Sequence, residues 1–207
     1  MTQPIDPLDH SWWIASRSAG VVAFVAVAVS VILGLMMANG LLRGRTRLLL
    51  GLHEYTALAG LIAIAVHGIT LLGDPWMNPT LTQIAVPFTI DYRPLWTSLG
   101  IISGWLAVLL GLTFYVRKRI GARLWRQVHR ATILVWALAV AHTIGGGTDG
   151  NERWMQAIMV VTGVPIVFLF LRRTVPGDAK REAAQRAALT DAGIPADAGI
   201  GAASSAG

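Results

Sequence analysis

Long apolar runs alternate along this chain with short clusters of polar and charged residues. The runs span roughly Ala19 to Leu42, Leu52 to Gly73, Leu95 to Val116, Val128 to Gly145 and Trp154 to Leu171. Each has 18 or more mostly apolar residues, enough for a helix to cross a hydrocarbon core about 30 Å thick. The pattern predicts an all-α integral membrane bundle of about five transmembrane helices, with the membrane domain over residues 16–173. Residues 1–15 are expected to be an external segment whose Trp12 and Trp13 anchor the first helix at the interface. They carry Asp6 and Asp9 but no base, which argues against a cleaved signal peptide. His10 reads as an ordinary solvated residue. Residues 174–207, rich in Ala and Gly, are expected to be a largely disordered tail, with a short exposed helix over 178–188.

The bases orient the bundle. Three of the 17 Lys and Arg lie between the first two runs (Arg43, Arg45, Arg47). Six lie between the third run and the first turn of the fourth (Arg117, Lys118, Arg119, Arg123, Arg126, Arg130), and five follow the fifth (Arg172, Arg173, Lys180, Arg181, Arg186). The other side has only Arg17, Arg93 and Arg153. Positive-inside bias therefore predicts an external N-terminus and a cytoplasmic C-terminus in the cell membrane. The longest loop, Asp74 to Pro94, is then external; its four prolines, with Trp76 and Phe88, suggest a folded lid.

Inside two of the runs sit histidines, which are costly in hydrocarbon unless they face a cavity, a partner or a ligand. His53 and His67 are 14 residues apart, about 21 Å of helical rise and within about 40° of four full turns, so both leave nearly one face. The fourth run repeats the device with His129 and His142, and because both helices run outward, His53 matches His129 in depth and His67 matches His142. Two facing imidazoles at one depth are what a six-coordinate haem iron requires. The 13-residue spacing of His129 and His142 strains this picture, since thirteen ideal steps leave them some 140° out of phase. An irregular first turn at His129 would repair it. Polar helix–helix contacts, or a metal or proton relay using Glu54 beside His53, are the competing readings. Gly60, Gly104 and Gly111 suit either the approach of a flat cofactor or close helix packing.

Composition narrows the chemistry. The chain is 54% hydrophobic and 14% charged, and its mean hydropathy is +0.58. The net charge of +6 lies in short clusters between apolar runs, which points to membrane topology and away from nucleic acid. With no cysteine, disulfides, thiolate-held clusters and covalent c-type haem are excluded, and any redox centre must use other ligands.

The segments SRSAGVVAF, VPFTIDYRPLW and RLWRQVHRATILVWALAVAHTIGGGTD, together with the His53/His67 pair, resemble bacterial ferric reductase-like transmembrane proteins over about residues 11 to 172. That superfamily includes the NADPH oxidase membrane domain and the haem subunit of a periplasmic methionine sulfoxide reductase. The resemblance implies that His53, His67, His129 and His142 are axial ligands of two b haems, paired His53/His129 and His67/His142. It also offers Arg17 and Arg93 as propionate- or substrate-side cations. Full-length relatives continue into a flavin and nicotinamide domain, whereas only about 35 residues follow the fifth run here, and no G-x-G-x-x-G stands between a strand and a helix. The expectation is therefore an electron-transfer component of an oxidoreductase without its own flavin/NAD(P)H domain. It would be fed by a cytoplasmic flavoprotein reductase, a bound flavin or a membrane quinol or quinone, and would pass electrons to an external acceptor. A metal or proton transporter, or a structural partner subunit, is the alternative.

Overall fold

The computed structural model describes residues 7–174 and 186–193. It contains α1 (Pro7–Ala38), α2 (Thr46–Leu71), a short α3 (Leu81–Ala85), α4 (Pro94–Ile120), α5 (Ala122–His129), α6 (Thr132–Gly145) and α7 (Arg153–Thr174). Five spans are long and apolar enough to cross a membrane: α1, α2, α4, the α5–α6 unit and α7. The five-helix expectation holds. The first helix starts well before its apolar run, so Trp12 and Trp13 stand on its first turns rather than ahead of it. Most of the tail, including the first part of the helix expected over 178–188, lies outside the described residues; 186–191 are helical.

Helix α1 organises the bundle. It runs antiparallel to α2 and also packs on α6 and α7, while α4 packs mainly against α6. The small core joins Ala28 and Val31 of α1 to Ile166 of α7, with Trp136 and Ile133 of α6 against it. Outside that seam large apolar side chains face outward, among them Tyr55, Val161 and Phe168. In a protein surrounded by lipid this carries no hydrophobic penalty, and contact between helices rests on close packing and polar links. Two such links are visible: Asn39 Nδ2 donates to the Leu169 carbonyl at 3.1 Å, and buried Ser103 Oγ donates to the Val135 carbonyl at 2.8 Å.

The glycines Gly60, Gly104 and Gly111 serve that packing. A Cβ on them would come within 3.1 to 3.3 Å of Val27, Ile64 and Leu61 side chains on the neighbouring helix. Two ends of the bundle can be told apart. One is capped by the 74–94 loop; the other, the basic end, carries the cationic turns between α1 and α2 and between α4 and α5.

The fourth span contains a break. Arg130, Ala131, Ile133 and Leu134 donate to carbonyls three residues back rather than four, which separates α5 from α6. A three-residue turn advances about 120° and 2.0 Å per residue, against about 100° and 1.5 Å in an α-helix. Four such residues recover about 80° of the roughly 140° phase error. They also stretch the 13-residue interval from about 19.5 to about 21.5 Å, close to the 14-residue interval on α2. The irregular turn required at His129 is present.

Candidate functional site

On α1 the motif Ser-x3-Gly occurs twice, at Ser16/Gly20 and Ser30/Gly34, fourteen residues apart. On α2 the motif His-x2-Thr occurs twice at the same spacing, His53/Thr56 and His67/Thr70. Fourteen residues make four turns at 3.5 residues each, the period at which two gently supercoiled helices keep a common seam. The antiparallel hairpin therefore brings Ser16 to His67 and Ser30 to His53. His67 Nδ1 lies 2.8 Å from the Ser16 carbonyl and His53 Nδ1 lies 2.8 Å from the Ser30 carbonyl. Each serine hydroxyl reaches back, Ser16 Oγ to the His67 carbonyl at 3.0 Å and Ser30 Oγ to the His53 carbonyl at 3.4 Å. Both threonine hydroxyls bond the preceding turn of α2, at 2.7 Å.

The glycines are what let the rings in. A helical carbonyl points towards the residue four places on, so a side chain there would cover it. A Cβ on Gly20 would stand 3.1 Å from His67 Nδ1, and one on Gly34 would stand 3.3 Å from His53 Cε1. Helix α4 does the same for α6. His142 Nδ1 lies 2.9 Å from the Trp96 carbonyl, and four residues on, a Cβ at Gly100 would come within 2.6 Å of that ring. The Trp96 indole lies flat against Gly145, where any side chain would collide with it.

These bonds decide chemistry. A carbonyl only accepts, so each of the three Nδ1 atoms must carry the proton, leaving Nε2 as a lone-pair donor. The opposing rings then meet in pairs. His53 and His129 have centroids 6.0 Å apart with planes crossing at 83°. His67 and His142 are 6.3 Å apart and cross at 68°. Imidazoles hydrogen-bonded directly to each other through their ring nitrogens would have centroids about 5 Å apart. Metal–imidazole bonds of about 2.0–2.1 Å on both sides of one ion give about 6.4 Å when in line, and slightly less when bent. No group of three or more His, Cys, Asp or Glu able to hold a bare metal ion occurs among the described residues; the histidines come in twos.

The pair at the capped end borders a cavity of about 520 Å³, within the usual range for small-molecule sites. His67, His142, Gly20 and Gly100 line it, and Trp76, Met77, Ile84 and Tyr92 of the 74–94 loop close it. That loop is folded, as its prolines suggested: Trp105 Nε1 donates to the Ala85 carbonyl at 2.7 Å, and Ser98 Oγ accepts from Phe88 N–H at 2.6 Å. Arg17 lines the same cavity, makes a two-pronged ion pair with Asp149 and sits 5.0 Å over the Trp13 ring. Arg93 is exposed and donates to the Gly145 carbonyl at 2.8 Å, tying the start of α4 to the end of α6. The pair at the basic end is set differently: the Trp125 indole stacks on His129, 5.0 Å between centroids and 22° between planes.

The six singled-out residues thus fall into two histidine pairs, one cation on the cavity wall and one at the rim. Sequence reasoning missed Ser16, Ser30 and the Trp96 carbonyl as partners, and Trp125 as a stacking residue. The signal for the serines was available, since their Ser-x3-Gly motif repeats at the histidine spacing.

The helical bundle thus brings together two imidazole pairs, His53 with His129 and His67 with His142. A family model described as the ferric reductase-like transmembrane component matches residues 19–140, more than half of the chain and including His53, His67 and His129. This chain belongs to that family. It is accordingly a multi-pass membrane protein of a class associated with transmembrane electron transfer, generally haem-binding and usually paired with a reductase domain or partner. No curated protein and no solved structure matches it.

Proposed function

We propose that the chain carries electrons across the cell membrane through two b haems, ligated by His53 with His129 and by His67 with His142. The observation that carries this reading is the paired centroid separation of 6.0 and 6.3 Å, the spacing of two imidazoles on one metal ion. The chain's residues suit the group in three further respects. Nδ1–H bonds to the Ser16, Ser30 and Trp96 carbonyls commit Nε2 to ligation. The glycines Gly20, Gly34 and Gly100 leave the rings room, and the cavity at the capped end is apolar-walled with a cation at its edge.

Bound haem supplies a reversible one-electron couple at iron. The protein's part is to hold that couple and insulate it. Two imidazoles at each site would hold the metal from the protein side, and a site so filled would carry electrons without binding substrate at the metal. Bonds from Nδ1–H to carbonyls raise the donor strength of the His53, His67 and His142 rings and fix their planes. The pairs stand about 21 Å apart along α2, one near each side of the hydrocarbon core. Arg17 is suited to share its guanidinium between Asp149 and a cofactor carboxylate, whereas Arg93 acts by fixing the turn that presents Trp96 and His142.

By the distribution of bases, the basic end faces the cytoplasm and receives electrons there from a flavoprotein reductase, a flavin or a membrane quinol, and the capped end delivers them to an external acceptor. The four single His→Ala variants test the assignment. His67→Ala and His142→Ala should alter one and the same haem, and His53→Ala and His129→Ala the other, each pair sharing a spectrum. Unchanged haem content and spectra in all four would refute ligation by these residues.

A further inference from the structure

Three of the four histidines are locked by the same device, a helix carbonyl four residues before a glycine: Ser16 before Gly20, Ser30 before Gly34 and Trp96 before Gly100. His129 lacks it. Trp96 opposite His142 and Ser103 opposite Val135 set one antiparallel register between α4 and the fourth span. That register brings Leu109–Leu110 to the level of His129. There the device is dismantled. The residue four on from Leu110 is Phe114, not glycine, and the Leu110 carbonyl is taken by Thr113 Oγ1 at 2.6 Å. Nδ1 of His129 is buried without a hydrogen-bond partner among the described residues, and so is Nε1 of Trp125. What His129 has instead is a ring. Trp125 lies four residues earlier on α5, one turn along the same helix face, and its indole stacks on the imidazole at 5.0 Å and 22°. Helix α5 ends at His129, and the break that follows frees this histidine from the straight course of α6.

We infer that Trp125 is the positioning residue for His129, replacing by stacking the carbonyl lock that holds the other three histidines, and that the pair at the basic end is therefore the site whose ligand detaches when the stack is removed. The inference rests on the haem reading above and adds a functional asymmetry to it. Rotation of the imidazole about its Cβ–Cγ bond is limited at His53, His67 and His142 by a directional bond. At His129 it is limited by contact with one flat side chain. A branched aliphatic residue at 125 fills much of the volume but offers no plane, so the ring would turn out of line and cease to hold the metal. Phenylalanine keeps a plane and retains most of the restraint.

The test uses the full chain in detergent or membranes, as wild type, Trp125→Leu and Trp125→Phe, with haem content, spin state and carbon monoxide binding to the dithionite-reduced form. The wild type should hold two low-spin haems that bind little carbon monoxide. Trp125→Leu should keep its haem but bind carbon monoxide at about half of it, one iron of the two, with a difference spectrum matching that of His129→Ala and not that of His142→Ala. Trp125→Phe should resemble the wild type. A Trp125→Leu protein with two low-spin, carbon monoxide-inert haems overturns the inference and leaves the haem reading standing. So does loss or carbon monoxide reactivity of both haems together, since the effect would not be confined to the basic end. A wild-type chain without haem overturns the reading beneath it.

Discussion

Replacing Gly100 by alanine should damage the capped-end site, while the same change at Gly34 should be nearly harmless. The contrast follows from distances. A Cβ at Gly100 would stand 2.6 to 2.8 Å from Nδ1, Cγ and Cε1 of His142, so the ring must retreat by about half an ångström or more to reach ordinary contact. Retreat stretches the 2.9 Å bond to the Trp96 carbonyl and pushes the side chain off its rotamer. Losing that bond costs about 0.5–1.5 kcal/mol and the off-rotamer torsion about as much again. Against this, alanine favours a helix interior over glycine by roughly 1 kcal/mol. At Gly34 the nearest ring atom is 3.3 Å away, a few tenths of an ångström of adjustment suffices, and the propensity gain offsets the strain. Gly20, at 3.1 Å from Nδ1, should fall between them. Net destabilisation of the ligated state at Gly100 centres on about 1 kcal/mol and reaches about 2 kcal/mol at most, roughly a fivefold and up to a thirtyfold weaker hold on the cofactor. Haem retained after purification and the low-spin fraction read this directly, in the order Gly34→Ala, Gly20→Ala, Gly100→Ala from mild to severe. A Gly100→Ala protein with wild-type haem retention, or a more severe defect at Gly34, would refute the close-approach argument.

Ser16→Ala should perturb the haem at the capped end alone and Ser30→Ala the other alone, each by a modest change in potential or in the low-spin magnetic resonance signal, because the hydroxyls assist a ring already held by a carbonyl; equal effects on both sites from either change would count against the separate clamps. Asp149→Asn should release Arg17 from its ion pair and shift the capped-end haem's potential without affecting the other, a result read by redox titration and contradicted by an unchanged or uniformly shifted pair. A reporter fused after residue 207 should be active only in the cytoplasm, and activity outside would invert the proposed direction of electron flow.

Much of this fold is written in local patterns. The five spans follow from the length of apolar runs, and the His53/His67 face follows from a spacing of 14 that a straight helix preserves. The His129/His142 spacing of 13 resisted the same arithmetic because its resolution is a break after His129, four tightened hydrogen bonds that no periodicity announces. Backbone carbonyls carry no sequence label, so the acceptor role of Trp96 was invisible although the histidine it holds was not. The ion pair between Arg17 and Asp149 joins residues 132 positions apart and depends on how α1 meets the turn after α6, which is tertiary information. Gly60, Gly104 and Gly111 were open to two readings, and distances to Val27, Ile64 and Leu61 show the helix contact.

The most direct test of the account is the amount of non-covalent haem per chain, from the pyridine haemochromogen spectrum of the purified 22.1 kDa protein against its measured concentration. Two b haems per chain, both six-coordinate and low-spin, are predicted; a chain that purifies folded with none, or with a single haem that no histidine variant splits into two sites, would contradict it.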